Sequence, residues 1–175
     1  MRLAAFGMAG LVAIVAAVVL VAPALGTDPT GGDEALGAVR AISAKYHSYD
    51  QALADGYSAA GEPCVVSPAG GMGFHAVNRA LIADPAIDPL KPEILLYSKK
   101  ENGKFELTGV EYMRRAADQT APFDESDKPA LFGRSFDGIM PEHAPGMGWH
   151  YDLHVWLWRI NPSGVLNAWN PTVTC

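Results

Sequence analysis

The sequence predicts an α+β protein in which one N-terminal amphipathic helix packs on a curved, mainly antiparallel sheet or small β-barrel, with long loops. Apolar residues recur at helical spacing between residues 33 and 57, which predicts the helix. Two apolar runs meet at a turn containing Asn102 and Gly103, and residues 150–158 alternate with a period of two, which predicts strands. Strand-like and helix-like segments do not alternate along the chain, so a parallel sheet is not expected.

Residues 1–26 have the pattern of a secretory signal peptide: a basic residue, an apolar run over residues 3–22 and small residues before the predicted cleavage point after Gly26. We therefore expect a secreted or extracytoplasmic protein. The apolar run is about as long as a membrane span, so an uncleaved anchor is the alternative. After cleavage we expect no membrane contact, a polar linker over residues 27–33 and a single globular domain over residues 34–175.

The N-terminal helix is predicted from the stretch DEALGAVRAISAKYHSYDQALADGY, residues 33–57. Its apolar residues are three or four positions apart and form one stripe: Leu36, Val39, Ile42, Tyr46, Tyr49 and Leu53. Asp33 and Glu34 suit the positive end of the helix dipole, and Gly56 supplies a stop signal. We therefore expect a single helix with one apolar face.

After the helix the pattern changes to strands and turns. The stretch EILLYSKKENGKFELTGVEYM, residues 93–113, predicts a β-hairpin. Residues 114–148 are polar and rich in proline and glycine, which predicts a long loop. The stretch WHYDLHVWLWRI, residues 149–160, has bulky side chains on both faces, so we expect a central strand that is covered on both sides.

Composition and cysteine usage limit the partners and the compartment. The formal net charge is -6, which argues against binding nucleic acid. The chain contains no nucleotide-binding loop and no haem-attachment motif. Cys64 and Cys175 are expected to form a disulfide, because the predicted compartment is oxidising and neither belongs to a CxxC motif. The alternative is that the thiols bind a metal or act in catalysis.

A short phrase occurs twice: GMGFH at residues 71–75 and GMGWH at residues 146–150, each ending on a histidine. Glycine lets two backbones approach closely, so we expect His75 and His150 to begin strands that meet at a common cavity. His154 shares a strand face with His150 but lies about 13 Å further along a regular strand. One ion could bind both of these histidines only where the strand bends.

Four residues are the predicted metal ligands: His75, Glu111, His150 and His154. Glu111 is chosen because it interrupts an otherwise apolar strand of the hairpin. Further candidates, either as ligands or as hydrogen-bond partners of ligands, are Glu93, Asp152 and His143. Imidazole and carboxylate ligands from several strands suit a transition metal ion, such as Zn, Cu, Mn or Fe.

Two methionines, Met72 and Met147, each stand three residues before a histidine of the repeated phrase. A thioether beside an imidazole would favour copper. On a regular strand, however, positions i and i+3 face opposite sides. We therefore expect both methionines to fill the core.

These features lead to three hypotheses about function. The first is a secreted protein that binds a transition metal ion in a small pocket under the loop of residues 114–148, with catalysis left open. The second is a non-enzymatic pocket for an apolar or aromatic small molecule, lined by Tyr97, Tyr112, Trp156 and Trp158. The third is a structural envelope protein whose histidines belong to a buried polar core. The sequence predicts no particular oligomeric state.

The stretches HYDLHVWLW, GMGFHAVN, PEILLY and LTGVEY together resemble a group of secreted bacterial proteins for which no activity is established. In that group a helix ending in a phrase like ALADGY precedes a GMGxH motif and a C-terminal HYDLHVWLW strand. The resemblance covers nearly the whole chain after the predicted signal peptide, and the nine-residue strand motif is its most specific part. It implies a secreted protein of one family and no particular activity.

Overall fold

The computed structural model of the protein describes residues 29–59 and 64–175. Its helices are α1 (Pro29–Ser43), α2 (Tyr49–Ala54) and α3 (Arg79–Ile82), with short 3-10 helices at Ala44–His47 and Glu125–Asp127. Its strands are β1 (Ser58–Ala59), β2 (Val65–Ser67), β3 (Gly70–Val77), β4 (Ile94–Lys99), β5 (Phe105–Arg115), β6 (Ala130–Leu131), β7 (Arg134–Ser135), β8 (Asp137–Met140) and β9 (His150–Val155). The predicted signal peptide, residues 1–26, lies outside the described residues.

A curved antiparallel sheet organises the structure, with the strand order β1-β3-β4-β5-β9-β8 and with β2 also paired to β3. Mixed helix and sheet confirm the α+β class in broad terms. The predicted hairpin is also confirmed, because β4 and β5 pair directly across a turn in which Gly103 has a φ of 79°. The alternative of a small barrel is wrong, since the two ends of the strand order do not pair with each other.

The helical region differs from the single helix predicted over residues 33–57. The first helix already begins at Pro29, inside the predicted linker, because proline is well accommodated in the first turn of a helix. It ends at Ser43, and the hydroxyl of Ser48 then caps α2. Leu53 of the predicted stripe is 47% exposed, so this residue does not face the core. Four core side chains do come from the region: Val39, Tyr46, Ala52 and Tyr57.

The two faces of the sheet carry separate hydrophobic clusters, because successive side chains of a strand point to opposite faces. The cluster on the face that receives the helical side chains includes Val39, Tyr46, Leu95, Tyr97, Val110, Tyr112, Leu153 and Val155. The cluster on the other face consists of Val77, Ile94, Leu96, Met113, Ala144, Met147, Trp156 and Val173. All six residues of β9 are buried between β5 and β8, which confirms a central strand covered on both sides.

The segment predicted as one long loop, residues 114–148, contains more regular structure than its composition suggests. Strands β6 and β7 pair with each other, and β8 pairs with β9 at the edge of the sheet. Pairing with a distant strand outweighs the weak local preference of a polar, glycine-rich segment. The segment thereby brings Met140 and His143 next to the strand that carries His150 and His154.

The predicted disulfide is formed between Cys64 and Cys175, which are 111 positions apart. It anchors the C-terminal tail, residues 161–175, whose last residues lie on the second face of the sheet. Asn170 of this tail exchanges backbone hydrogen bonds with Gly71, and Val173 belongs to the second cluster. Disulfides are typical of oxidising compartments, which agrees with the predicted export.

Within residues 29–59 and 64–175, no helix combines the length and the apolar character that crossing a bilayer requires.

Candidate metal centre

Three buried side chains, His75, Glu111 and His154, come together on the second face of the sheet. Each offers one ligand atom, and these atoms all lie within 4.8 Å of one another. The Oε2 atom of Glu111 is 3.2 Å from His75 Nε2 and 3.5 Å from His154 Nε2. Two imidazoles that converge on one carboxylate oxygen form a group that can hold a metal ion.

The register of the sheet explains why residues so far apart in sequence meet here. Glu111 on β5 lies directly opposite His154 on β9. His75 on β3 lies opposite Leu96 on β4, which in turn lies opposite Gly109 on β5. Because positions 109 and 111 are two apart on one strand, they lie on the same face of the sheet. The three side chains therefore project from the same face of three strands.

The centre is shielded from solvent, with exposed fractions of 6% for His75, 2% for Glu111 and 1% for His154. Burial lowers the pKa of His154, which favours the neutral imidazole that metals bind. Burial raises the pKa of Glu111, but the adjacent His154 and His75 outweigh burial and lower it below its usual value. A carboxylate at Glu111 and a neutral imidazole at His154 are the forms that ligation of a metal requires.

Several polar atoms of the centre have no hydrogen bond within the described parts of the chain. They are Glu111 Oε2, Asp152 Oδ1 and both ring nitrogens of His154. A buried polar atom without a hydrogen bond typically costs about 1–3 kcal/mol, so a native protein retains such atoms for a reason. A cation would accept lone pairs from Glu111 Oε2 and His154 Nε2 together, which makes the donor set fit a bound metal.

Asp152 lies next to this group on β9, on the outer side of the His154 ring. Its Oδ1 atom is 3.8 Å from His154 Nδ1, whereas the opposite ring nitrogen faces Glu111. Burial, reinforced by the charge of Glu111, raises the pKa of Asp152 well above its usual range. Histidine ligands commonly direct their second nitrogen to a carboxylate that fixes the ring. Asp152 is therefore the nearest carboxyl group to the second nitrogen of His154, although the two atoms are too far apart for a hydrogen bond.

His150, predicted to share an ion with His75, does not belong to the group of three. Its Nδ1 atom lies 2.8 Å from the carbonyl oxygen of Gly148, and its Nε2 atom lies 3.1 Å from His143 Nε2. Because a carbonyl only accepts, the proton of a neutral His150 is on Nδ1. The histidines of the repeated phrase therefore enter two clusters: His75 joins the group of three and His150 pairs with His143.

Met72 contradicts the expectation that it fills the core, since it lines the same cavity as His75. The reason is Gly73 between them, whose φ of 89° departs from the extended conformation and breaks the alternation of side chains. A Cβ at Gly73 would also approach the carbonyl oxygen of Tyr97 to 2.4 Å, so only glycine fits this bend. Met147 does fill the core as predicted and is 2% exposed.

The cavity at the metal centre has a volume of about 400 Å³. Besides the group of three it is lined by Asp152, His143 and four apolar side chains, namely Val65, Met72, Met140 and Trp169. Sequence reasoning missed Val65, Met140 and Trp169. The disulfide was the signal that could have found two of them, because it ties the tail that carries Trp169 to Cys64, the neighbour of Val65.

The four aromatic residues predicted to line a ligand pocket are divided between the two faces of the sheet. Tyr97 and Tyr112 are buried on the first face, where their hydroxyls donate to the carbonyl oxygens of Tyr46 and Pro89. Trp156 belongs to the cluster on the second face, and Trp158 stacks under the guanidinium of Arg40. The barrel that these four residues were expected to line is not formed by the described residues.

Glu93, the second candidate carboxylate, is buried but has a structural partner. Its Oε2 atom accepts a hydrogen bond from the backbone N–H of Met113 at 3.1 Å. It is not among the residues that converge at the metal centre. Burial raises the pKa of Glu93 to about 8, so we interpret it as a protonated carboxyl group held within the sheet.

The raised pKa of Glu93 predicts a particular dependence of stability on pH. At a pH between the ordinary pKa near 4.5 and the folded pKa of about 8, the folded state holds one proton more than the unfolded state. Protonated Glu93 therefore makes its full contribution to the free energy of unfolding below the ordinary pKa, and this contribution is lost as the pH rises through the folded pKa. Glu93→Gln should therefore be more stable than the wild type at pH 9, by about 2–4 kcal/mol. Urea unfolding of the metal-free proteins at pH 5, 7 and 9 measures the difference, with the exposed Glu101→Gln as control. Equal pH slopes for Glu93→Gln and the wild type would contradict it.

Comparisons with known proteins give no relative for this chain. It matches no protein-family model, and neither the curated proteins nor the solved structures give a match. The resemblance to a group of secreted bacterial proteins therefore stays a prediction.

Proposed function

We propose that this protein binds one divalent transition metal ion through His75, Glu111 and His154 and leaves further coordination positions open to the cavity. The observation that carries the proposal is the convergence of three ligand atoms within 4.8 Å. The Nε2 atom of His154 and the Oε2 atom of Glu111, which have no hydrogen bond within residues 29–59 and 64–175, support it, because one cation would satisfy both atoms. The proposal narrows the ligands predicted from the sequence to three.

The number and type of ligands indicate the class of site. Structural zinc sites are usually closed by four protein ligands, whereas sites that act on a ligand keep three and leave one or more positions open. Two histidines with one glutamate occur at catalytic zinc sites, and two histidines with one carboxylate occur at non-haem Fe(II) sites. Zinc and Fe(II) are therefore the ions we expect first.

Asp152 has a separate role in this proposal. Its carboxyl group lies 3.8 Å from His154 Nδ1, so only a small side-chain shift would bring it to hydrogen-bond distance of that nitrogen. We assign to it the positioning of the imidazole and not a bond to the ion. The pair of His143 and His150 lies nearby and is not needed to complete the site.

The direct test is a metal titration of the protein purified without a histidine tag. After chelation and dialysis, wild-type protein should take up one equivalent of Zn²⁺, Co²⁺ or anaerobic Fe²⁺, and its melting temperature should rise because the ion binds the folded state. His75→Ala should lose this rise. Calorimetric titration together with elemental analysis of the dialysed complex measures the stoichiometry.

A matched control for this titration is His47→Ala, which removes an exposed histidine whose ring contacts Trp158. This variant should bind the ion like the wild type. Less than about a tenth of an equivalent of any metal in the wild type, with no binding on add-back, would overturn the proposal. Equal loss of binding in both histidine variants would mean that the titration reports nonspecific binding.

The other two hypotheses from the sequence gain no support of this kind. The aromatic pocket depends on a barrel that is not formed. A purely structural polar core would pair its buried groups, whereas both ring nitrogens of His154 lack a hydrogen bond in the described part of the molecule. Export by residues 1–26 stays a prediction, and the disulfide is consistent with it.

A further inference from the structure

The cavity beside the metal centre has apolar walls that binding an ion alone does not require. Four apolar side chains face it, and they come from separate parts of the fold: Val65 from β2, Met72 from β3, Met140 from β8 and Trp169 from the C-terminal tail. A site that only stores an ion needs no such walls. The volume of about 400 Å³ falls within the range of about 300–1,000 Å³ that is common for small-molecule pockets.

The lining also determines how a charged ligand would be held. None of the nine residues that line this cavity is a lysine or an arginine. An anionic group in the cavity would therefore have the metal ion as its cationic partner. Three protein ligands leave room for two further donors from one molecule, so an oxygen-donor chelating group fits the open positions.

The apolar walls determine what the rest of the ligand should be. Thioethers make favourable contacts with aromatic rings, and Met72 and Met140 both line the cavity. Trp169 adds a large aromatic surface, and indole rings stack or pack edge-to-face on other rings. A flat ring is thus a better match for these walls than a hydrophilic body such as a sugar.

We propose that the cavity binds a small aromatic molecule that carries an anionic oxygen-donor chelating group, with the chelating group on the metal ion and the ring between Met72, Met140 and Trp169. This inference rests on the proposed metal site and specifies the ligand class of that site. It assigns a function to the tail beyond the disulfide, because Trp169 supplies part of the wall. It includes no chemical conversion of the ligand.

The test compares two probes that share one chelating group. Benzohydroxamate and acetohydroxamate differ in having a phenyl ring or a methyl group beside the same hydroxamate. Calorimetric titration into the Co²⁺-loaded protein should show benzohydroxamate binding at least about ten-fold more tightly, because only the ring reaches the apolar walls. Changes in the visible spectrum of Co²⁺ report whether the hydroxamate oxygens bind the ion.

Variants separate the ring contribution from the contribution of the ion. Trp169→Ala should bring the affinities of the two probes to within about three-fold of each other while the affinity for Co²⁺ stays the same. The control is Trp158→Ala, because Trp158 is half-buried and does not line this cavity. This variant should keep the wild-type ratio of the affinities for the two hydroxamates. If Trp169→Ala does not fold, Met72→Ala serves as the second wall variant, and it should lower the ratio in the same direction.

The outcomes distinguish a failure of the proposed ligand class from a failure of the proposed metal site. A protein that takes up no Co²⁺ overturns both. A protein that takes up Co²⁺ but binds the two hydroxamates equally, or binds neither, overturns the ligand class and leaves the metal site intact. A wild-type ratio retained in both Trp169→Ala and Met72→Ala would show that the ring lies elsewhere, and would also overturn the inference.

Discussion

Replacing Glu111 by glutamine is expected to lower the affinity for the metal ion at least 100-fold while the fold is retained. Glu111 is the only carboxylate in the group of three, and it lies between the two imidazoles. The amide keeps the shape of the side chain but removes the negative charge that balances the cation. Loss of a partner that merely orients a ligand typically costs 10–100-fold in affinity, so loss of the charged ligand itself should cost more.

Competition of the protein with a chromogenic chelator measures this affinity, and far-ultraviolet circular dichroism checks the fold. The matched control is Glu106→Gln on the same strand, whose carboxylate pairs with Lys100 and Arg159 at the surface. The control should bind the ion like the wild type. If Glu111→Gln retained wild-type affinity, the carboxylate would not be a ligand and the arrangement of His75 and His154 would need another explanation.

Removing the disulfide with the double substitution Cys64→Ser and Cys175→Ser is expected to lower the free energy of unfolding by about 4–5 kcal/mol. The bridge joins residues 111 positions apart, and a loop of this size strongly restricts the unfolded chain. For a protein of this length the melting temperature should fall by about 8–20 °C. Thermal and urea unfolding measure the change, with reduced wild-type protein as the matched comparison.

The same variant should change metal affinity much less than stability. In the folded state the tail is also held by the backbone hydrogen bonds between Asn170 and Gly71 and by the buried Val173. The disulfide acts mainly on the unfolded chain, so Trp169 should keep its place at the cavity. A loss of less than about 1 kcal/mol, or a large loss of metal affinity without a loss of stability, would contradict this account.

Local patterns predicted the parts of the fold that depend on neighbouring residues. The alternation and turn of residues 93–113 specify a hairpin whatever surrounds it, and the bulky faces of β9 specify a buried strand. The disulfide followed from compartment and cysteine number alone. The sequence left the choice between a curved sheet and a closed barrel open, because closure depends on whether the outermost strands meet, and no local pattern records that distance.

Three of the four predicted ligands, His75, Glu111 and His154, lie together in the candidate site, whereas His150 does not join them. His150 and His154 share one face of β9, so the sequence could not decide which of them meets His75. The choice is made by long-range register, which sets His154 opposite Glu111 and His150 opposite Arg115. A second limit was Gly73, whose positive φ turns Met72 towards the cavity against the regular alternation.

The position of Glu111 between β4 and β9 in the sheet has a consequence for the order of folding. The hairpin of β4 and β5 can form from local contacts, but it carries one ligand only, and His75 and His154 arrive when β3 and β9 add to its two sides. A chain that is still partly folded therefore lacks a complete site. Metal occupancy would report that assembly of the sheet is finished, and the whole binding free energy would stabilise the finished state alone.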